Sequence, residues 1–131
     1  MIFVLLGCIV EGEDGAPGGG DSGEFFASVE PILTEGCANP SCHGNGDRAY
    51  QVYAVHRYRL DEADLWADGE LNEAEHAANL AQARAFAAPP WELCRKPLDP
   101  AAGGMSHEGG VSWFAVDDAD YEAVRAWSEA P

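Results

Sequence analysis

Two cysteines and a histidine stand close together in the segment Cys37–Gly44, which reads Cys-Ala-Asn-Pro-Ser-Cys-His-Gly. Cys37 and Cys42 are separated by four residues, and His43 follows Cys42 directly. Covalent haem attachment requires two thiols that add to the vinyl groups, and an adjacent imidazole that binds the iron. The usual motif has the shorter Cys-x-x-Cys-His spacing. The pattern nevertheless predicts haem attachment at Cys37 and Cys42, with His43 as the proximal ligand.

A glycine-rich loop supplies two candidates for the opposite side of the iron. Met105 and His107 lie between Gly103-Gly104 and Gly109-Gly110. Glycine carries no Cβ, so such a loop can approach a flat ligand closely. A thioether and an imidazole are both common axial ligands, and methionine opposite histidine gives the higher potential. The residues alone leave the choice between Met105 and His107 open.

Four cations are candidate partners for the propionates of a haem, because arginine and lysine side chains bind carboxylates. They fall in two short segments, each next to apolar residues that are expected to pack: Arg57, Arg59, Arg95 and Lys96.

The helix that leads into the cysteine motif is predicted to begin after Asp21. Asp21 can cap it together with Glu24, Pro31 predicts a kink or an early end, and Gly36 releases the chain toward Cys37. Its apolar residues recur at helical spacing and define one face: Phe25, Phe26, Val29, Ile32 and Leu33.

Two further helices are predicted from their first turns. Asn72 and Glu75 form a capping-box pattern before an alanine-rich helix over residues 73–88, which the Pro89-Pro90 pair ends. Asp118 is a good N-cap for the last helix. We expect the last helix to pack across residues 22–35 through three residues at helical spacing: Tyr121, Val124 and Trp127.

The order of these landmarks over residues 22–128 resembles class I-like c-type cytochromes, in particular a longer-spaced variant found in secreted bacterial cytochrome-like proteins. The resemblance implies a mostly α fold, namely a small cytochrome c-like helical domain with long loops wrapping one covalent haem c. It also implies an electron carrier rather than an enzyme, with peroxidase-like activity only if the sixth iron position is open. In those proteins a histidine stands between the glycine pairs, which favours His107 as the distal ligand and keeps Met105 as the alternative.

The first residues resemble the lipobox of a bacterial lipoprotein. Residues 1–7 are wholly apolar and end at Leu5-Leu6-Gly7-Cys8, which makes Cys8 the candidate lipidation site. An acidic, glycine-rich segment follows and predicts a flexible tether. The predicted organisation is a signal or lipobox remnant at 1–8, a linker at 9–21 and a cytochrome c-like domain at 22–131. This context implies an exported lipoprotein of a Gram-negative bacterium, periplasmic or on the outer surface.

The charge restricts the partners that the chain can have. Of its 131 residues, 23 are Asp or Glu and seven are Lys or Arg, so the formal net charge is −16. Such acidity argues against binding nucleic acid, which needs a basic surface, and leaves membrane association to a lipid at Cys8. We expect a redox protein with a basic docking surface as partner, although solubility alone also explains the charge.

Two alternatives use the same residues differently. Cys37, Cys42 and His43 with either Cys94 or His107 have the ligand types of a zinc site. Alternatively, Cys37 pairs with Cys42 or Cys94 in a cofactor-free, disulfide-bonded surface lipoprotein domain with a binding or structural role. An enzyme with its own catalytic residues is disfavoured, because we find no nucleophile–base pattern and no phosphate-binding glycine loop.

Overall fold

The computed structural model describes residues 18–131, and the regular structure within that range is helical, without a strand. The prediction of a small, mostly α fold is confirmed. The lipobox remnant at 1–8, with Cys8, and most of the linker at 9–21 lie outside the described residues. The elements are α1 (Ser22–Glu24), a π-helical turn (Phe25–Val29), α2 (Glu30–Gly36), a 3₁₀ turn (Glu62–Asp64), α3 (Glu73–Ala87), α4 (Glu92–Arg95), a 3₁₀ turn (Pro100–Ala102) and α5 (Ala119–Ser128).

The first helical segment begins as its sequence predicts, because Asp21 Oδ1 accepts a hydrogen bond from the backbone N–H of Glu24 at 3.0 Å. Pro31 does not end it. A proline has no N–H to donate, and here it occupies the first turn of α2, where no such donor is needed. The π-helical turn Phe25–Val29 lies just before that point and separates α1 from α2.

The last helix packs on the first helical segment, which confirms that prediction. The rings of Phe25 and Trp127 lie 5.0 Å apart between centroids, and both side chains are buried. Trp127 Nε1 also donates to the carbonyl oxygen of Asp21 at 3.0 Å. The buried core to which both side chains belong also includes Val29, Tyr121 and Val124.

The chain enters the domain along α5. The backbone N–H groups of Gly19 and Gly20 donate to the carbonyls of Ser128 and Trp127 at 3.3 and 2.8 Å. Gly19 has a φ of +92°, and a Cβ at this position would collide with the Trp127 ring. Residues 18–21, the end of the segment predicted as a linker, therefore pack with the domain.

Helix α3 starts with the predicted capping box. The backbone N–H of Glu75 donates to Asn72 Oδ1 at 3.0 Å, and the backbone N–H of Asn72 donates to Glu75 Oε2 at 2.9 Å. The helix ends at Ala87, one residue earlier than predicted, with Ala88 as its C-cap before the proline pair at 89–90. The two capping bonds between Asn72 and Glu75 satisfy backbone donors that a helix start otherwise leaves unpaired.

The carboxylate of Glu75 also fixes the loop that precedes α3. It is fully buried and accepts bonds from Arg59 Nε at 2.8 Å, Arg59 Nη2 at 2.9 Å and the backbone N–H of Leu60 at 3.0 Å. Nη1 and Nη2 of Arg59 also donate to the backbone carbonyls of Gly69 and Glu70. Burial alone would raise the pKa of Glu75, but the hydrogen bonds and the charge of Arg59 outweigh it and lower the pKa to about 2.

The segment around Tyr53 is neither helix nor strand, and a side chain supplies its hydrogen bonds. Asn79 on α3 accepts from the Tyr53 N–H through Oδ1 at 2.8 Å and donates to the Tyr53 carbonyl through Nδ2 at 3.0 Å. The same Nδ2 group donates to Glu30 Oε1 on α2 at 2.9 Å. One buried amide thus joins α2, α3 and the loop between them.

We predict that Glu75→Gln lowers the free energy of unfolding by about 3–5 kcal/mol, because it leaves the buried Arg59 guanidinium without a charged partner. Glu73→Gln, in the same first turn but exposed, is expected to cost less than about 1 kcal/mol. Urea unfolding of the two variants and the parent chain measures both effects. Equal losses would contradict the role given to the Glu75–Arg59 pair.

The Glu75–Arg59 pair also predicts how the stability of the fold depends on pH. The pKa of Glu75 falls from 4.5 to about 2 on folding, so its contribution is complete above the unfolded value and is lost as pH falls through the folded one. The stability difference between the parent chain and Glu75→Gln should therefore shrink between those two pH values. A difference that stays constant there would rule out this linkage.

Candidate functional site

The segment after α2 folds into a compact turn that brings His43 back to Cys37. The His43 N–H donates to the Cys37 carbonyl at 3.1 Å, and the Cys42 N–H donates to the Asn39 carbonyl at 2.8 Å. Asn39 Oδ1 also accepts from the backbone and the hydroxyl of Ser41 at 3.0 and 2.7 Å. The four residues between the cysteines are thus held by their own hydrogen bonds, which explains how the longer spacing closes.

Gly44 is required where this turn ends. A Cβ on Gly44 would collide with the carbonyl oxygen of Ala38, and the Gly44 N–H donates to Asn39 at 3.0 Å. Ala38 is itself buried. The turn therefore closes only with glycine at position 44, directly after His43.

One cavity gathers most of the candidate residues. It has a volume of about 550 Å³, within the range of small-molecule and cofactor pockets. Cys37, Cys42, His43 and His107 all line it. Met105 is not among its lining residues in the part of the chain that the structure describes, and its backbone N–H donates to the Arg95 carbonyl at 2.8 Å.

Both histidines of the cavity are oriented by backbone carbonyls. His43 Nδ1 donates to the Tyr50 carbonyl at 2.9 Å, and His107 Nδ1 donates to the Gly110 carbonyl at 3.2 Å. A carbonyl only accepts, so in each neutral ring the proton is on Nδ1 and the lone pair is on Nε2. Metal-binding histidines carry the same kind of carbonyl bond on the nitrogen that does not ligate.

The two rings are nearly parallel, with an angle of 7° between planes and 6.0 Å between centroids. Two imidazoles bound through Nε2 to opposite sides of one ion would have centres ~6 Å apart, given metal–nitrogen bonds of about 2 Å. The centroids of His43 and His107 have that separation, with the two rings in a stacked arrangement. Gly109 contributes to it, because a Cβ at Gly109 would lie 2.7 Å from Cε1 of His107.

The charge state of His43 also suits a metal ligand. Burial lowers its pKa, the Tyr50 carbonyl works in the opposite direction, and nearby His107, Arg48 and Lys96 lower it further. The ring is therefore neutral at neutral pH, which is the form that binds a metal ion.

The three cysteines of the described chain are free thiols. Neither disulfide of the cofactor-free alternative, Cys37–Cys42 or Cys37–Cys94, is formed. Cys94 is buried away from the cavity lining, and its thiol donates to the Trp91 carbonyl at 3.4 Å. Within residues 18–131, no three His, Cys, Asp or Glu side chains converge as a zinc site requires.

The cations near the cavity differ in part from the sequence-based candidates. Arg59 is buried against Glu75, and Arg57 donates to the carbonyls of Thr34 and Glu35. Lys96 does line the cavity, and so does Arg48, which was not among the candidates predicted from the sequence. Arg48 lies in a polar loop without a motif of its own. Its closeness in sequence to His43 is the feature that could have identified it as a residue of the cavity.

Comparison with protein-family models, with curated proteins and with solved structures finds no match for this chain. In residues 18–131, no helix has both the length and the apolar character needed to cross a membrane.

We predict that Cys37 in the haem-free folded chain reacts slowly with iodoacetamide. Burial, and to a lesser extent Cys42, raises its pKa from 9.0 to about 11. At pH 8 this lowers the thiolate fraction ~100-fold, while the greater nucleophilicity of a more basic thiolate restores ~10-fold. Alkylation of Cys37, followed by peptide mass mapping, should be about tenfold slower in buffer than in urea.

Cys42→Ala is the matched control for this measurement. It removes the lesser cause of the shift and leaves burial in place, so most of the retardation should persist. Equal rates in buffer and urea would show that Cys37 is not shielded in the folded chain.

Proposed function

We propose that this chain is a monohaem c-type cytochrome that carries single electrons. Cys37 and Cys42 would hold one haem covalently, and His43 and His107 would bind its iron, with His43 as the ligand next to the attachment site. The observation that supports this most strongly is the meeting of both thiols and both carbonyl-oriented imidazoles at one cavity.

The haem would supply a one-electron iron couple, and the protein residues would set its environment. The Tyr50 carbonyl polarises the His43 ring and makes Nε2 a better donor, and the Gly110 carbonyl does the same for His107. Two imidazole ligands give a lower potential than an imidazole with a thioether. A filled sixth position suits electron transfer and disfavours peroxidase-like chemistry.

The cations of the cavity support a ligand that carries carboxylates. Lys96 Nζ lies 3.1 Å from a Glu92 carboxylate oxygen, and Arg48 Nη2 donates to the Ser41 carbonyl at 3.1 Å. Two of the seven basic residues of the chain line this cavity, together with two acidic residues, Glu92 and Glu108. We propose that Arg48 and Lys96 offset the charge of the haem propionates.

The proposed setting is the periplasm or the outer surface of a Gram-negative bacterium. It is supported by the lipobox-like sequence ending at Cys8 and by the acidic, glycine-rich residues that follow. The proposed partner is a redox protein with a basic docking surface, since the chain carries a formal net charge of −16.

We predict that the chain, expressed with a c-type maturation system, retains haem stain on a denaturing gel. Cys37→Ala combined with Cys42→Ala should abolish the stain, because no thioether can then form. Cys94→Ala is the matched control and should keep full stain, since Cys94 lies outside the cavity lining. Intact mass should show the increment of one haem in the parent chain.

A colourless product with the mass of the bare polypeptide plus lipid would overturn the proposal. Stain that survives loss of both Cys37 and Cys42 would overturn the assignment of the attachment residues. Loss of stain in Cys94→Ala alone would move the site away from the described cavity.

We also predict that His107→Ala converts the ferric protein from a low-spin to a high-spin spectrum, because it removes the sixth ligand. Met105→Ala should leave the spectrum unchanged, since Met105 does not line the cavity. The ferric parent protein should lack the red and near-infrared charge-transfer bands of methionine ligation. Those bands, with loss of low-spin character in Met105→Ala, would assign Met105 instead.

A further inference from the structure

A short loop before α5 exposes three apolar side chains to solvent. Phe114 is 74% exposed, Val116 is 53% exposed and Val111 is 37% exposed. Phe114 has the highest exposed fraction among the large apolar side chains noted in residues 18–131. We call these three residues the Phe114 patch. Several exposed apolar side chains within six positions of sequence indicate an interaction site, because a binding partner would remove their apolar surface from water.

The exposure does not come from a loosely held loop. Trp113, directly before Phe114, is buried and meets the Tyr121 ring edge-on with centroids 5.8 Å apart. The Trp113 N–H donates to the Pro97 carbonyl at 3.1 Å, and its carbonyl accepts from the Asp99 N–H at 2.9 Å. Phe114 is therefore presented by an anchored backbone, which lowers the entropy lost when a partner covers it.

The same loop forms part of the cavity wall. Gly109 and Ser112 line the cavity together with His107, and the Phe114 patch begins at Val111, between them. A protein that covers the patch would thus lie beside the loop that carries the proposed distal ligand.

The charged residues that flank the patch in sequence are all acidic. Between Pro97 and Val124 the sequence contains no lysine or arginine. The acidic residues of this stretch flank the patch on both sides in sequence: Asp99, Glu108, Asp117, Asp118, Asp120 and Glu122. An apolar centre with an acidic border is complementary to a face with an apolar centre and a basic border.

We propose that the Phe114 patch is where an electron-transfer protein docks, through a contact face that is apolar at its centre and rich in lysine and arginine at its rim. This rests on the proposed electron-carrier function and names the surface that function would use. The acidic border steers the partner, and Phe114 and Val116 make the close contact next to the cavity. With haem bound, one electron would pass between the haem and the centre of the partner, so that one would be oxidised as the other is reduced.

Two tripositive metal complexes test the patch with matched charge. Tris(phenanthroline)cobalt(III) has an apolar surface, and hexaammineruthenium(III) has a hydrophilic one. In stopped-flow oxidation of the reduced protein, each takes one electron from the haem iron. Phe114→Ser with Val116→Ser should lower the second-order rate constant with the cobalt complex about fivefold, through the lost apolar contact. It should leave the rate constant with the ruthenium complex unchanged.

Leu60→Ser is the control, because Leu60 is 52% exposed and belongs to a different loop. It should change neither rate constant. A second readout does not depend on electron transfer: amide chemical shifts of the oxidised chain, titrated with the diamagnetic cobalt complex, should move within residues 109–118. These shifts should disappear in the double variant.

Rate constants that fall equally for both complexes, or for neither, would overturn the docking proposal, as would shift changes confined to other residues. Concentration-dependent dimerisation that the double variant abolishes would identify a second copy of this chain as the occupant and would also overturn it. A purified chain without haem would give no oxidation signal in any variant and would overturn the proposed function. In that case the shift map would still report whether an apolar cation binds at the Phe114 patch.

Discussion

The candidate site depends on two hydrogen bonds, in which Nδ1 of His43 and Nδ1 of His107 each donate to a backbone carbonyl. Tyr50 fixes the ring of His43, and Gly110 fixes the ring of His107, so both rings keep Nε2 available. The carbonyl of Tyr50 can do this only because its segment is itself held in place. The side-chain oxygen Oε1 of Gln82 on α3 accepts from the N–H of Gln51 at 3.2 Å, and the backbone carbonyl of His43 accepts from the N–H of Val52 at 2.9 Å. The position of one imidazole is thereby tied to the middle of α3.

Much of this domain is loop, and a few polar side chains replace the hydrogen bonds that a sheet would supply. Asn79 pairs with both backbone groups of Tyr53, Glu75 collects donors from Arg59 and Leu60, and Asn39 closes the cysteine turn. Buried backbone groups must be paired, and here the pairing atoms come from side chains on or near helices. The cysteine turn, which lines the cavity, is one of the loops held in this way.

The sequence predicts the helices well because their signals are local. The caps of Asp21, Asn72 and Asp118 form as expected, and each involves residues within one turn. The pairs that shape the loops could not be predicted in the same way. Arg59 and Glu75 are sixteen positions apart, and Tyr53 and Asn79 are twenty-six positions apart, with no periodic pattern to connect them. For the same reason Arg59 was a candidate for the cavity, while it is in fact the buried partner of a helix-capping carboxylate.

The candidate site was predictable in its chemistry but not in its geometry. The thiols and imidazoles can be recognised from their residue types alone. The choice between Met105 and His107 depends on the conformation of the loop after Leu98. Bonds from Ser112 and Trp113 to the Pro97 carbonyl set that conformation, and no local motif predicts them.

The entry of the chain along α5 has a mechanical consequence. A pull on the chain ahead of Gly18 would be met first by the two backbone bonds from Gly19 and Gly20 and by the Trp127 ring beneath them. These contacts join the start of the domain to its last helix, so the load would pass between the two termini. The loops that carry His43 and His107 would lie off the line of force, so a load on the chain would leave the spacing of the two imidazole rings unchanged.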